Sequence, residues 1–182
     1  MVCMAKVTIN GIDKVKKNVI DTFNRIKSSE SLLLDIGEKT VELTKAFNRS
    51  GKSPAENGGK HPKNSDAWEN RKEALTKTNT PSEFYQRGLS NVTFTGQLLE
   101  SIEILKIDKK NSSVTIDATG PRKPYKNLNG SLQKNTPDNS KLVEYLKEKG
   151  RIIFGINKQM TNVINKIVRS YINAEIKKSF KK

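Results

Sequence analysis

The apolar residues of this chain fall into two blocks separated by a long polar gap, and that division limits the folds open to it. In the first block Ile12, Val15, Val19, Phe23 and Ile26 recur at helical spacing and predict an amphipathic helix over 12–27. Ser28-Ser29-Glu30 breaks it. Leu33, Ile36, Leu43 and Phe47, with Thr40 filling the gap, predict a second helix ending near Phe47. Both stripes read as faces of the core, with a partner-binding face as the alternative. Ahead of them Lys6-Val7-Thr8-Ile9 alternates and stops at Asn10-Gly11, the pattern of a short strand and turn. From Asn48 to about Asn91 periodicity vanishes, and Asn57-Gly58-Gly59-Lys60-His61-Pro62 is loop chemistry. Trp68 and Leu75 are the isolated apolar anchors of this stretch until Phe84-Tyr85 and Leu89.

Order resumes at Thr95-Gly96-Gln97-Leu98-Leu99-Glu100-Ser101-Ile102. Gly96 permits a backbone angle that other residues avoid. Leu98 and Ile102 are spaced to bury on one face, and Ser101 can satisfy a nearby backbone group. The segment reads as one helical turn over 97–101 feeding a strand through Ile107. Asp108-Lys109-Lys110-Asn111 is a polar hairpin turn. Val114, Ile116 and Ala118 then alternate with polar residues as a half-buried strand ended by Gly120-Pro121. A second polar loop over 120–140 carries Arg122, Lys123, Lys126 and Lys134. Leu142 to Leu146 is a short helix or turn closed by Gly150, and Arg151-Ile152-Ile153-Phe154-Gly155 reads as a short buried strand. Asn157 caps a last helix whose stripe, Met160 to Ile172, is wide enough to fill the core or also meet another subunit. The expected fold is therefore α+β: a small antiparallel sheet packed against two N-terminal helices and a long C-terminal helix. It forms one domain over 1–182 with long loops at about 48–91 and 120–140.

The charge suits either a lysine-rich surface that only keeps the domain in solution or an acidic partner. Lys and Arg outnumber Asp and Glu by 34 to 19, a net +15. That surplus favours an acidic partner. With seven arginines among the basic residues, the balance suits backbone or surface contact over base reading. The segment from Lys147 to Lys182 holds ten basic and two acidic residues, a net +8. Its closing cations Lys177, Lys178, Lys181 and Lys182 suit either a helix C-terminus or contact with DNA or an acidic protein.

Chemistry is sparse. Cys3 and His61 are single, so neither an internal disulfide nor a Cys/His zinc site can be built from this chain. Gly58-Gly59 lacks the Lys-Ser/Thr of a phosphate loop. His61, in its Gly/Pro/Asn loop, is expected at the surface. Glu38 and Glu42 lie one helical turn apart among lysines, as on a solvated face. We expect no catalytic residue, no metal and no cofactor. No apolar run reaches the roughly 20 residues of a membrane span, and the N-terminus lacks the apolar core of a signal peptide, so a chain made in the cytoplasm and not membrane-bound is expected.

The order of features then carries a resemblance: an opening strand with Asn10-Gly11-Ile12-Asp13, two helices, and a loop with Ala67-Trp68. After these come the Thr-Gly-x-Leu-x-x-Ser-Ile turn, a hairpin, a basic loop, and Arg151-Ile152-Ile153-Phe154-Gly155 before a long helix. This resembles the head–tail joining and tail-completion proteins of tailed bacteriophages. Their members open with a strand and a Gly-Leu/Ile-Asp step, carry a Trp before a Thr-Gly-x-Leu-x-x-Ser turn, and end with Arg-Pro-Phe-Leu-Gly before the last helix. Here Ile152 replaces the proline, and Tyr145-Leu146-Lys147-Glu148-Lys149-Gly150 replaces the usual approach to it. The resemblance implies a non-enzymatic virion subunit at the neck, in the host cytoplasm during assembly. It would form a ring of six or twelve copies between portal-side and tail-side proteins, with non-specific contact to the genomic DNA crossing the channel. Trp68, Arg122, Lys123, Lys126 and the terminal lysines become candidate contacts. Thr95, Gly96, Leu98, Ser101, Ile102, Arg151, Phe154 and Gly155 become structural signature positions. The competing reading is a nucleic-acid-binding accessory protein acting through its lysine-rich C-terminal face.

Overall fold

A computed structural model of the chain describes residues 12–55, 59–89, 95–133 and 136–179. The fold is α+β, in the order α1 (Ile12–Lys27), α2 (Glu30–Arg49), α3 (Asp66–Leu75), α4 (Gln97–Glu100), β1 (Ile102–Asp108), β2 (Ser113–Ala118), α5 (Asn139–Glu148) and α6 (Lys158–Ser179). The expected leading strand at Lys6–Ile9 lies outside the described residues.

The two strands pair antiparallel, from Ile102 opposite Ala118 to Asp108 opposite Ser113, with a bulge between Ile104 and Lys106. The bulge has a sequence cause. Ile102, Ile104 and Ile107 cannot share one face at a strict period of two. One extra residue at Leu105, itself exposed, turns Ile107 back to the side of Ile102 and Ile104. Three apolar pairs then share the inner face: Ile102 with Ala118, Ile104 with Ile116, and Ile107 with Val114. Asp108 closes the hairpin by accepting from the Asn111 N–H at 3.0 Å and from its side-chain amide at 2.9 Å.

Helix α2 lies on this hairpin. Gly37 makes the approach possible, because a Cβ there would stand 2.7 Å from Ile104 Cδ1 and 2.9 Å from Val114 Cγ1. The best-buried cluster joins Leu98, Leu99, Ile102, Ala118 and Ile153, with Val41, Leu142, Leu146 and Phe154 packed around it. Helix α6 packs on α2 and α1. Its cap is the expected one, Asn157 Oδ1 accepting from the Met160 N–H at 3.0 Å.

Four expectations are corrected. The stretch 48–91 is not irregular throughout, since Ser65 caps α3 by accepting from the Trp68 N–H. Residues 151–155 form no strand; two of their carbonyls take side-chain donors instead, Asn48 Nδ2 on Ile153 O at 3.0 Å and Ser53 Oγ on Ile152 O at 2.9 Å. The sheet rests mainly on α2 and α5, while α1 packs on α6. The α1 stripe is not a core face: Val15, Val19 and Phe23 are 53%, 51% and 63% exposed.

Candidate functional site

Helical spacing builds a cleft of about 580 Å³ from two facing walls. On α3, Trp68, Lys72 and Leu75 follow one another at i, i+4 and i+7. Leu142, Tyr145 and Leu146 of α5, with Lys149 at its C-cap, do the same at i, i+3, i+4 and i+7. The polar loop after β2 brings Arg122 and Tyr125 to it, and Arg151 follows from the segment after α5. Leu75 and Leu98 are buried at its floor, whereas Trp68 and Tyr145 are 43% and 54% exposed.

Each wall is pinned. The Lys123 N–H donates to Gln97 Oε1 at 2.8 Å, so a variable position of the Thr-Gly-x-Leu turn holds the Arg122 segment. Asn79 and Lys126 exchange two bonds, Asn79 Nδ2 to Lys126 O at 2.7 Å and Lys126 N–H to Asn79 Oδ1 at 2.8 Å, which ties the two expected loops together. Arg151 Nη2 donates to Pro62 O at 3.1 Å and to Asn64 Oδ1 at 2.7 Å.

The cleft is cationic. Among the described residues Lys63, Lys72, Arg122, Lys149 and Arg151 line it, and no Asp or Glu does. Lys72 is neutralised by Glu69 at 2.6 Å, with both side chains well buried. Burial opposes the Glu69 charge, but hydrogen bonds from Lys72, the Gly88 N–H and Asn64 outweigh it and hold the carboxyl below its usual range. Among the described residues Arg122 has no such partner and its buried Nε makes no hydrogen bond, and burial pulls the guanidinium below the usual arginine range.

Of the residues singled out from the sequence, Trp68, Thr95, Leu98, Arg122 and Arg151 meet at this one cleft. Ile102 is in the core, Ser101 Oγ donates to Leu98 O at 2.8 Å, and Gly96 holds φ +74° at the start of α4. Phe154 packs on the core cluster, and Gly155 lies so close to Ala55 that an added Cβ would stand 2.5 Å from its Cα. Lys123, Lys126 and Lys177 are exposed, and Lys178 pairs with Glu175 at 2.8 Å. Lys134, Lys181 and Lys182 lie outside the described residues.

His61 is a further correction, being 4% exposed. Asn48 Nδ2 donates to Thr44 O and Ile153 O, which leaves Asn48 Oδ1 as an acceptor. His61 Nε2, 3.0 Å away, must therefore donate, and Nδ1 carries the lone pair. Burial first, then the Arg151 charge, holds the imidazole below its usual pKa and keeps it neutral. This knot is structural: it fastens α2, the 59–61 loop and the 151–155 segment together.

No protein-family model, no curated protein and no solved structure matches the chain. Among the described residues no helix is long and apolar enough to cross a membrane, and no group of three His, Cys, Asp or Glu could hold a metal ion.

Proposed function

We propose that the protein is a non-enzymatic assembly subunit, a ring-forming neck component of a tailed bacteriophage joining the portal side to the tail. The observation that supports this best is the bare stripe of α1. Val15, Val19 and Phe23 sit at i, i+4 and i+8 and stay half or more exposed. The helix meets α6 along the edge of that stripe: Thr22 Oγ1 lies 2.8 Å from Ser179 Oγ, and Arg25 Nη2 donates to the same oxygen at 2.8 Å. An amphipathic helix that leaves an apolar stripe in water beside its charged face is suited to be covered by another molecule. In a ring, one such weak interface per subunit closes cooperatively.

The motif order around Trp68, Thr95–Ile102 and Arg151–Gly155 supplies the neck assignment. The reading is tested by electron microscopy of the purified protein, alone and with portal or tail components. Closed rings with little DNA affinity support it. A monomer that binds DNA with strong salt dependence, through the C-terminal lysines, would replace it with the nucleic-acid reading.

A further inference from the structure

We infer that the cleft between α3 and α5 is a peptide-binding site, taking a bulky apolar side chain flanked by carboxylates from an acidic segment of another protein. This goes beyond the ring proposal and does not depend on it, because the bare stripe is on α1 and the cleft is on other elements.

Three features of the cleft specify the occupant. Its floor is apolar: Leu75 and Leu98 are buried there, and Leu142 and Leu146 complete it. A volume of about 580 Å³ suits one large side chain and the backbone around it. Its mouth carries Trp68 and Tyr145, two half-exposed aromatic rings of the kind that anchor peptide contacts. Its charge is of one sign, and the Arg122 guanidinium holds a buried Nε with no hydrogen-bond partner among the described residues. A buried donor left unmatched is unfavourable until an acceptor arrives, and a planar guanidinium matches a carboxylate with paired bonds. Lys149, beside the Tyr145 ring at 5.5 Å, adds a second cation at the rim.

The same features favour a peptide over nucleic acid. A strand of DNA or RNA needs a basic groove that tracks its backbone and rings that stack on successive bases. Here the site is a bounded cleft whose floor of leucines offers a base no hydrogen bond.

Trp68 is the only tryptophan of the chain, so its emission reports directly on the cleft mouth. The full chain is titrated with pools of capped nine-residue peptides carrying a central Phe or Leu among Asp and Glu. Matched pools with Lys in place of the acids, and a ten-nucleotide oligothymidine, run alongside. Saturable change of Trp68 emission with the acidic pools, about tenfold or more tighter than with the lysine pools, is expected. Arg122→Met should weaken the best acidic peptide about tenfold or more and should melt no lower than the parent, since it removes an unmatched buried donor. Lys149→Glu, at the exposed rim, should weaken it too and serves should Arg122→Met fail to fold. The inference is overturned by absence of binding to any acidic pool, by binding that neither variant alters, or by oligothymidine taking the cleft with the same Arg122 dependence while the peptides do not.

Discussion

Replacing Phe23 by Gln separates a partner surface from a core face. Phe23 is 63% exposed. A phenylalanine has about 200 Å² to bury, so about 125 Å² remains open on α1, and covering it at about 25 cal/mol per Å² contributes about 3 kcal/mol. That corresponds to about 150-fold in the dissociation constant of each interface that uses the stripe. The isolated chain has little to lose, because exposed substitutions away from special features stay within about 0.5 kcal/mol, or about 2 °C for a domain of this size. Sedimentation velocity over a concentration series measures the first quantity, and thermal melting followed by circular dichroism the second. The expected result is an unchanged melting temperature with weakened or abolished assembly. A drop of more than about 5 °C with assembly intact would show that Phe23 is packed in the fold, and the argument from the bare stripe would collapse.

Four other substitutions probe the scaffold. The folded state holds the His61 imidazole below its ordinary pKa, so stability should be complete above about pH 6.5 and fall as the pH drops below it, where the unfolded chain takes a proton that the folded chain refuses. His61→Gln, which can still donate to Asn48, should flatten that slope between pH 7.5 and 5.5 in chemical denaturation; an unchanged slope would assign it to other groups. Gly155→Ala places a Cβ 2.5 Å from the Ala55 backbone and should destabilise by about 1–3 kcal/mol, whereas a neutral result would mean that the two segments part easily. Leu98→Ala and Ile102→Ala, at 3% and 1% exposure, should each cost about 2–5 kcal/mol by denaturant midpoint; a small loss would remove the Thr95–Ile102 turn from the core.

What could be read from the sequence followed from period and turn chemistry. Helices α1 and α2, the break at Ser28-Ser29, the α4 turn after Gly96 and the hairpin around Asp108–Asn111 all announce themselves within a few residues. Helix α3 did not, because Lys72 occupies its inward face: a lysine stem packed beside Glu69 looks polar in a periodicity count. The run Arg151–Gly155 has strand composition, yet a strand needs a partner, and here the donors are the side chains of Asn48 and Ser53. His61 looked exposed because its partner Asn48 lies across a loop, and only the folded chain shows that loop turning inward. The α1 stripe was legible as a helix face, but amphipathicity says only that a face will be covered, not by what. The cleft was the least legible feature. Its helical walls follow simple spacing, but Arg122, Arg151 and Leu98 reach it from three other segments.

The two open surfaces should respond to salt with opposite sign. Each copy carries a net +15, so on the ring proposal copies meeting through α1 would repel one another at long range, and the apolar stripe would have to hold them together. Added salt shortens the screening length from about 10 Å at 0.1 M to about 3 Å at 1 M, which removes repulsion while leaving apolar contact intact. Self-association should therefore strengthen with salt. The cleft gains its ligand by attraction between Arg122, Lys149 and carboxylates, and the same screening weakens that attraction, most of all at the exposed Lys149 rim. Peptide binding should therefore weaken with salt. Sedimentation velocity and Trp68 emission, run on one preparation over one salt series, give both slopes. Slopes of the same sign would mean that the copies associate through complementary charge or that the cleft binds through its apolar floor alone, and one of the two surfaces would have been assigned to the wrong force.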